Sequence, residues 1–218
     1  MHVSPPQGVI FDMDGLLIDT VPLYITAMVE AGDTVGHAVS AAYIRSLVGL
    51  LGAALRERLV GDLGPAFPIE AFLQATSARL AELFEQGIPL KPGAADLLAH
   101  LAARGLPLAV ATSLRTQEAE RYLIQTQIRP FFQAVVGRDA VAQSKPAPDV
   151  YLRAAALIGR RPQDCLALED SFNGIRSAHA AGCMVVMVPD VLAPTAEIAA
   201  LCRGIARDLG HVRELLAG

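Results

Sequence analysis

The stretch Phe11-Asp12-Met13-Asp14-Gly15-Leu16-Leu17-Ile18-Asp19-Thr20 decides the reading of the chain. It completes the apolar run Val9-Ile10-Phe11 and places three carboxylates within eight residues. A buried strand that ends in a carboxylate delivers that group to the carboxyl edge of a sheet, where open α/β sheets bind ligands. Two acids one residue apart, with Gly15 directly behind them, repel each other unless a cation neutralises them. An oxygen-rich site of that kind suits Mg2+.

Four further apolar runs follow: Pro107-Leu108-Ala109-Val110-Ala111, Ala134-Val135-Val136, Cys165-Leu166-Ala167-Leu168 and Met184-Val185-Val186-Met187-Val188. All are continuous rather than alternating, as expected of strands covered on both faces in a parallel sheet. Helical spacing lies between them. Ala94, Leu97, Leu98 and Leu101 form one apolar face that closes at Gly105, and Val150, Ala154, Leu157 and Ile158 form another that closes at Gly159. Ser171 is placed to cap a helix running to Gly182. Strands alternating with helices predict an α/β fold built on a Rossmann-like, doubly wound parallel sheet.

The alternation breaks once. Between Thr20 and about Gly87 no strand pattern occurs. Phe72, Leu73, Leu80, Leu83 and Phe84 predict one amphipathic helix, and Ala42 to Leu59 predicts one or two more, broken near Gly49 and Gly52. The expectation is an inserted α-helical cap domain over residues 21–87, standing above the carboxyl edge of a core formed by residues 1–20 and 88–218. Leu16 to Thr20 reads as the link into that cap. Asp19 reads as a cap of its first helix or as a support for the site loop.

Length and composition narrow the function classes. The 218 residues, 53 % of them hydrophobic, are enough for a sizeable core. A net charge of −4 offers no basic footprint for nucleic acid. No apolar run has the length of a membrane span, and Met1-His2-Val3-Ser4-Pro5-Pro6 lacks the pattern of a signal peptide, so a cytoplasmic protein is expected. Cys165, Cys183 and Cys202 are odd in number and read as free thiols, buried in a reducing compartment.

The chemistry-bearing residues fall at strand ends. Strand one ends in Asp12 and Asp14, strand two in Thr112-Ser113 and strand four in Glu169-Asp170, while Lys145 follows strand three past a loop. Side by side on one sheet edge, these groups fit phosphoryl transfer. A phosphate monoester brings negative charge to a carboxylate nucleophile, and that repulsion must be screened. Mg2+ held by Asp12, Asp170 and the Asp14 backbone would do so, with Lys145 adding a second positive charge. The Thr112 hydroxyl and nearby backbone N–H groups would hold the remaining oxygens. Asp12 would attack phosphorus, and Asp14 would protonate the leaving alkoxide and then deprotonate water.

Asp12-Met13-Asp14-Gly15, Thr112, Lys145 and Glu169-Asp170-Ser171-Phe172-Asn173-Gly174 resemble, in order, the four motifs of the haloacid dehalogenase-like hydrolase superfamily. The resemblance spans the chain, and the helical interval sits where that family carries its C1 cap. The wording is similar to the branch that contains β-phosphoglucomutase, 2-deoxyglucose-6-phosphate phosphatase and pseudouridine-5′-phosphatase. The resemblance implies Asp12 as nucleophile, Asp14 as acid/base, and Thr112, Ser113 and Lys145 as the phosphate holders, Ser113 through its N–H. It implies Asp12, Asp14 and Asp170 as the metal site, with Glu169 either a ligand or a group behind the ligands. Arg115 is read equally as a phosphate contact or as the partner of a surface acid. Asn173 is a further candidate by its place in the fourth motif. Gly49 is either a loop facing the site or a plain helix break.

The expected activity is Mg2+-dependent hydrolysis of a small phosphomonoester, a sugar phosphate or nucleotide-like phosphate, by a monomer with no nucleic-acid or membrane partner. A phosphomutase is the alternative. Mutases of this type resemble a pattern with His and Arg where this chain has Tyr24 and Gly52, which favours a hydrolase and leaves Tyr24 as a candidate substrate neighbour. A phospho-accepting or metabolite-binding regulatory protein is the non-enzymatic alternative. A phospho-accepting receiver would carry its phosphorylated Asp on a later strand and lack a helical insertion after strand one. A catalytically silent binding protein would be expected to have lost one of Asp12, Asp14, Lys145 or Asp170, and none is lost.

Overall fold

Val9, Ile10 and Phe11 are wholly buried because they form the central strand of a six-stranded parallel sheet. In the computed structural model, which describes residues 5–48, 50 and 52–217, the strands are β1 (Gly8–Phe11), β2 (Leu108–Ala111), β3 (Ala134–Val136), β4 (Cys165–Glu169), β5 (Met184–Met187) and β6 (Gly204–Ile205). Their order is β3-β2-β1-β4-β5-β6. β1 pairs with β2 on one side (Phe11 opposite Val110) and with β4 on the other (Phe11 opposite Leu168). After β3 the chain crosses back to the far side of β1, so the switch in direction falls between β1 and β4. Ligand sites of doubly wound sheets lie at such a switch, beyond the carboxyl ends of the strands.

The described chain divides into two compact units, one formed by the residues up to Ile18 and from Pro89 onward, the other by Asp19–Ile88. The second unit holds α1 (Val21–Thr34), α2 (Ala41–Ser46), α3 (Gly52–Leu63) and α4 (Ile69–Gln86). Its own core gathers Ile25, Met28, Ala31, Ile44, Leu59 and Phe72. Ser40 caps α2 by accepting the Tyr43 amide at 3.1 Å. The N-cap position of α1 belongs to Thr20, which makes no side-chain cap bond, and Asp19 directly precedes it. Arg56 pairs with Glu70 and Arg58 with Asp62 on exposed helical surface.

The first unit adds α5 (Ala94–Ala103), α6 (Thr116–Gln125), α7 (Asp149–Leu157), α8 (Phe172–Ala180), α9 (Ala196–Leu201) and α10 (Leu209–Ala217). Its core joins the sheet residues Ile10, Ala109, Ala167 and Val185 to Val150, Tyr151, Ala154 and Ile158 of the α7 segment. The helical face through Tyr151 and Ala155 turns Leu157 outward. That residue is 54 % exposed, against its expected place on the apolar face. Cys165 and Cys183 are buried free thiols, and Cys202 is partly buried. Burial pushes the Cys183 thiol up to about 12.

Beyond β1 the chain folds tightly on itself. The Met13 carbonyl accepts from Leu16 N, Leu17 N and Ile18 N at 3.3, 2.9 and 3.1 Å, and Gly15 takes the left-handed φ of +81° that the turn demands. Leu16, Leu17 and Ile18 are buried in the sheet-bearing unit, so these three are core residues rather than the link expected above. No helix among the described residues is long and apolar enough to cross a membrane.

Candidate active site

The ends of β1, β2 and β4 deliver polar groups to the same edge. The Asp12 amide continues the ladder by donating to Leu168 O at 3.0 Å, which aligns Asp12 beside the end of β4. The Thr112 amide does the same toward Val136 O at 3.0 Å. Lys145 arrives from the loop before α7. That loop is pinned by Ser177, whose hydroxyl donates to Ala147 O at 2.6 Å, and by Asp149, which accepts the Gln143 amide at 3.2 Å.

The centre is an ionic network. The Lys145 ammonium donates to Asp12 Oδ1 in a short contact and to Glu169 Oε1 at 2.5 Å, and all three side chains are nearly or fully buried. Glu169 Oε1 also accepts from the Tyr151 hydroxyl at 2.9 Å. Its Oε2 accepts from the Asp170 amide at 3.1 Å, the Ser171 amide at 3.1 Å and the Ser171 hydroxyl at 3.0 Å. Ser171 Oγ in turn accepts the Gly174 amide at 3.1 Å and caps α8, as the sequence predicts. These five donors occupy both oxygens of Glu169.

Asp170 is in the opposite condition. Its Oδ1 is buried without a hydrogen-bond partner. Its other oxygen fits only because Gly15 has no side chain, since a Cβ there would overlap it. One carboxylate oxygen from each of Asp12, Glu169 and Asp170 lies within 4.8 Å of the others. Burial raises the Asp12 pKa from the usual 3.8 to about 8, against the counteracting charge of Lys145, with Glu169 and Asp14 raising it further. Burial likewise lifts Asp170 well above the carboxylate range, helped by the charges of Asp12 and Glu169. Burial alone would lower Lys145, but the carboxylates of Asp12 and Glu169 prevail and hold its pKa above the usual value. An excess of buried acid with an orphaned oxygen fits a hard divalent cation.

Thr112 is buried, and its Oγ1 accepts the Leu114 amide at 3.1 Å, which shapes the loop beyond β2. Ser113 is exposed on that loop. Arg115 is exposed at the N-cap position of α6, and its charge helps Thr116 hold the Asp139 carboxyl below its usual range. That places Arg115 beside a surface acid. Asn173 is exposed on the first turn of α8. Tyr24 lies on α1 in the helical unit, edge-on to Phe84 at 6.3 Å. Gly49 lies outside the described residues.

Three residues of this edge escaped the reading of the sequence. Tyr151 is the first. Its signal is a phenol on a buried helical face, where the hydroxyl needs a partner. Asp190 and Lys91 are the others, paired at 2.8 Å through Asp190 Oδ1 and both largely shielded from solvent. The free oxygen, Oδ2, is buried without a partner and lies 3.3 Å from where a Cβ of Gly15 would stand. It therefore faces the same spot as Asp170, whose pKa its charge raises. Val188-Pro189-Asp190 repeats the pattern of an apolar run ended by a carboxylate.

The sequence matches the family described as haloacid dehalogenase-like hydrolase over residues 9–188, an interval that includes every acid of this edge except Asp190. The chain belongs to the haloacid dehalogenase-like hydrolases. This hydrolase is 37 % identical over 195 residues to Protein CbbY of Rhodobacter capsulatus, covering 84 % of this chain and 85 % of the relative. It is 35 % identical over 198 residues to hexitol phosphatase B of Escherichia coli K12, covering 86 % of each. Among solved structures, that of a putative β-phosphoglucomutase from Thermotoga maritima superposes with a TM-score of 0.83 at 25 % identity, covering 96 % of this chain and 98 % of the other. Family and relatives make the hydrolase an enzyme of the phosphatase kind.

Proposed function

We propose that this enzyme is a Mg2+-dependent phosphatase that hydrolyses a small phosphomonoester through an aspartyl-phosphate on Asp12. The observation that carries the reading is the placement of Asp12 between the Lys145 ammonium and the unsatisfied carboxylate of Asp170, at the switch point of the sheet. Asp12, Asp170 and the Asp14 carbonyl would hold the cation, which when bound screens the phosphoryl charge from the nucleophile. Glu169 stands behind the site instead of in it, because its oxygens are already engaged.

The roles of the side chains follow from their settings. Asp12 Oδ1 is fixed by Lys145, which leaves its other oxygen for attack on phosphorus. An ammonium has three donors, so Lys145 keeps one for a phosphoryl oxygen. The Thr112 hydroxyl already accepts from Leu114 and can donate its proton to a second oxygen, with the Ser113 amide beside it. Asp14 supplies a proton to the leaving alkoxide and then takes one from the attacking water.

A sugar phosphate or nucleotide-like phosphate is the substrate class this reading favours, supported by a relative named for hexitol phosphates. All the reacting groups come from one chain, so the reading needs only a monomer, and it takes the cytoplasm as the compartment. The solved neighbour named as a putative β-phosphoglucomutase keeps phosphoryl transfer to a second hydroxyl as the alternative. Phosphate release from p-nitrophenyl phosphate with Mg2+, followed by a panel of phosphorylated metabolites, tests the proposal. Isomerised sugar phosphate without phosphate release would favour the mutase.

A further inference from the structure

We infer that the Tyr151 hydroxyl is a positioning group for phosphate binding, acting on Lys145 through Glu169. The inference rests on the reading of Lys145 as a phosphate holder, given above.

Tyr151 is fully buried, and its ring belongs to the core beneath the sheet edge. Packing alone would be served by a phenyl ring. The hydroxyl instead donates to Glu169 Oε1 at 2.9 Å, the same oxygen that receives Lys145 at 2.5 Å. The Lys145 ammonium also stands over the Tyr151 ring, 5.2 Å from its centroid. One residue therefore touches both members of the Glu169–Lys145 pair, one through its edge and the other through its face. A carboxylate with two donors on one oxygen and three on the other cannot rotate without breaking several bonds. With the carboxylate immobile, the ammonium is held between Asp12 and Glu169. The aromatic face stabilises its charge on the inner side, and its remaining proton is directed away from Tyr151, toward the sheet edge. Removing the hydroxyl frees one lone pair of Glu169 Oε1. Lys145 can then move toward Glu169 and away from phosphate.

The test compares the full-length protein with Tyr151→Phe, which keeps the ring and removes the hydroxyl. Binding of inorganic phosphate to each protein in the presence of Mg2+ is measured by isothermal titration calorimetry, with kcat and KM for p-nitrophenyl phosphate beside it. The variant is expected to bind phosphate about tenfold more weakly, the scale of one hydrogen bond to a charged group. The rise in KM should follow that factor, and kcat should change less. A second variant with 4-aminophenylalanine at position 151 restores a donor on the same ring and should recover the affinity.

Unchanged phosphate affinity in Tyr151→Phe overturns the inference, leaving the residue a core side chain. Equal loss in both variants overturns it too, since the donor would then be irrelevant. If Tyr151→Phe does not fold, the amino variant decides by itself. Affinity near that of the unsubstituted protein supports the inference, and a tenfold loss refutes it. Failure of the functional reading looks different: the unsubstituted protein would then neither bind phosphate nor release it from any ester.

Discussion

The Glu169 carboxylate occupies the space that a side chain on Gly174 would fill. The first turn of α8 thus passes directly over the group that holds Lys145, and Gly174 N closes the arrangement through Ser171 Oγ. Gly174 sits inside the helix, and the demand for glycine there is steric. Gly174→Ala should push the carboxylate aside, costing about 2–3 kcal/mol of stability as an overpacked core does. Activity should fall about a hundredfold, because a shift of about 1 Å is felt at the reacting atoms. Urea unfolding and steady-state kinetics check both effects.

The pair of Lys91 and Asp190 neutralises an acid that otherwise adds to the charge around Asp170. Lys91→Met should leave Asp190 uncompensated. Because the pair keeps some solvent, the expected loss is about 1–2 kcal/mol, less than for a fully buried pair. The variant should also gain more from a divalent cation, which replaces the missing ammonium. Thermal melts with and without Mg2+ would show a larger rise in Tm for Lys91→Met than for the unsubstituted protein. An equal rise would separate Asp190 from the metal site.

The Asp14 side chain is proposed to handle protons, while its backbone carbonyl faces the cation. Asp14→Asn should therefore depend on the leaving group. With p-nitrophenyl phosphate, whose phenolate departs without help, formation of the aspartyl-phosphate should persist while its hydrolysis slows. With an alkyl phosphate both steps should slow, and kcat should drop about 10²–10⁴-fold, the usual contribution of a positioned acid or base. Equal losses in the rate of aspartyl-phosphate formation with both substrates would assign Asp14 a different part.

The buried acids also set a pH dependence for the metal-free protein. Folding raises the Asp12 pKa from 3.8 to about 8 and moves Asp170 in the same direction. The folded state therefore keeps protons that the unfolded chain releases, and stability falls as pH rises between about 4 and 8. Lys145, whose folded pKa lies above its unfolded value of 10.5, stays charged throughout that window and adds no slope. Tm measured with a chelator should be higher at pH 5 than at pH 8. Added Mg2+ should raise it most at pH 8, where the carboxylates have lost their protons.

Much of this edge was legible because one local pattern repeats: a continuous apolar run that stops at a polar residue. β1 with Asp12, β2 with Thr112 and β4 with Glu169-Asp170 all follow it. β6 does not. It is a two-residue edge strand with a glycine and a partly exposed isoleucine, too short for any period to register. The outward turn of Leu157 was hidden because apolar spacing marks a helical stripe without saying which part of it meets the sheet. The saturation of Glu169 could not be read at all. It depends on Tyr151, a residue 18 positions earlier whose hydroxyl meets the carboxylate only once α7 has packed against the sheet. Asp190 carried the same strand-end pattern as Asp12, and the pattern alone does not show that its oxygen faces Asp170.

In the proposed mechanism, phosphate passes through Asp12. The enzyme is mixed with p-nitrophenyl phosphate and Mg2+, quenched in acid during turnover, digested, and its peptides weighed by mass spectrometry. A phosphoryl group is expected on the peptide that carries Asp12, more abundant in Asp14→Asn, with neither phosphopeptide nor phosphate release in Asp12→Asn. Continued phosphate release by Asp12→Asn would contradict the mechanism.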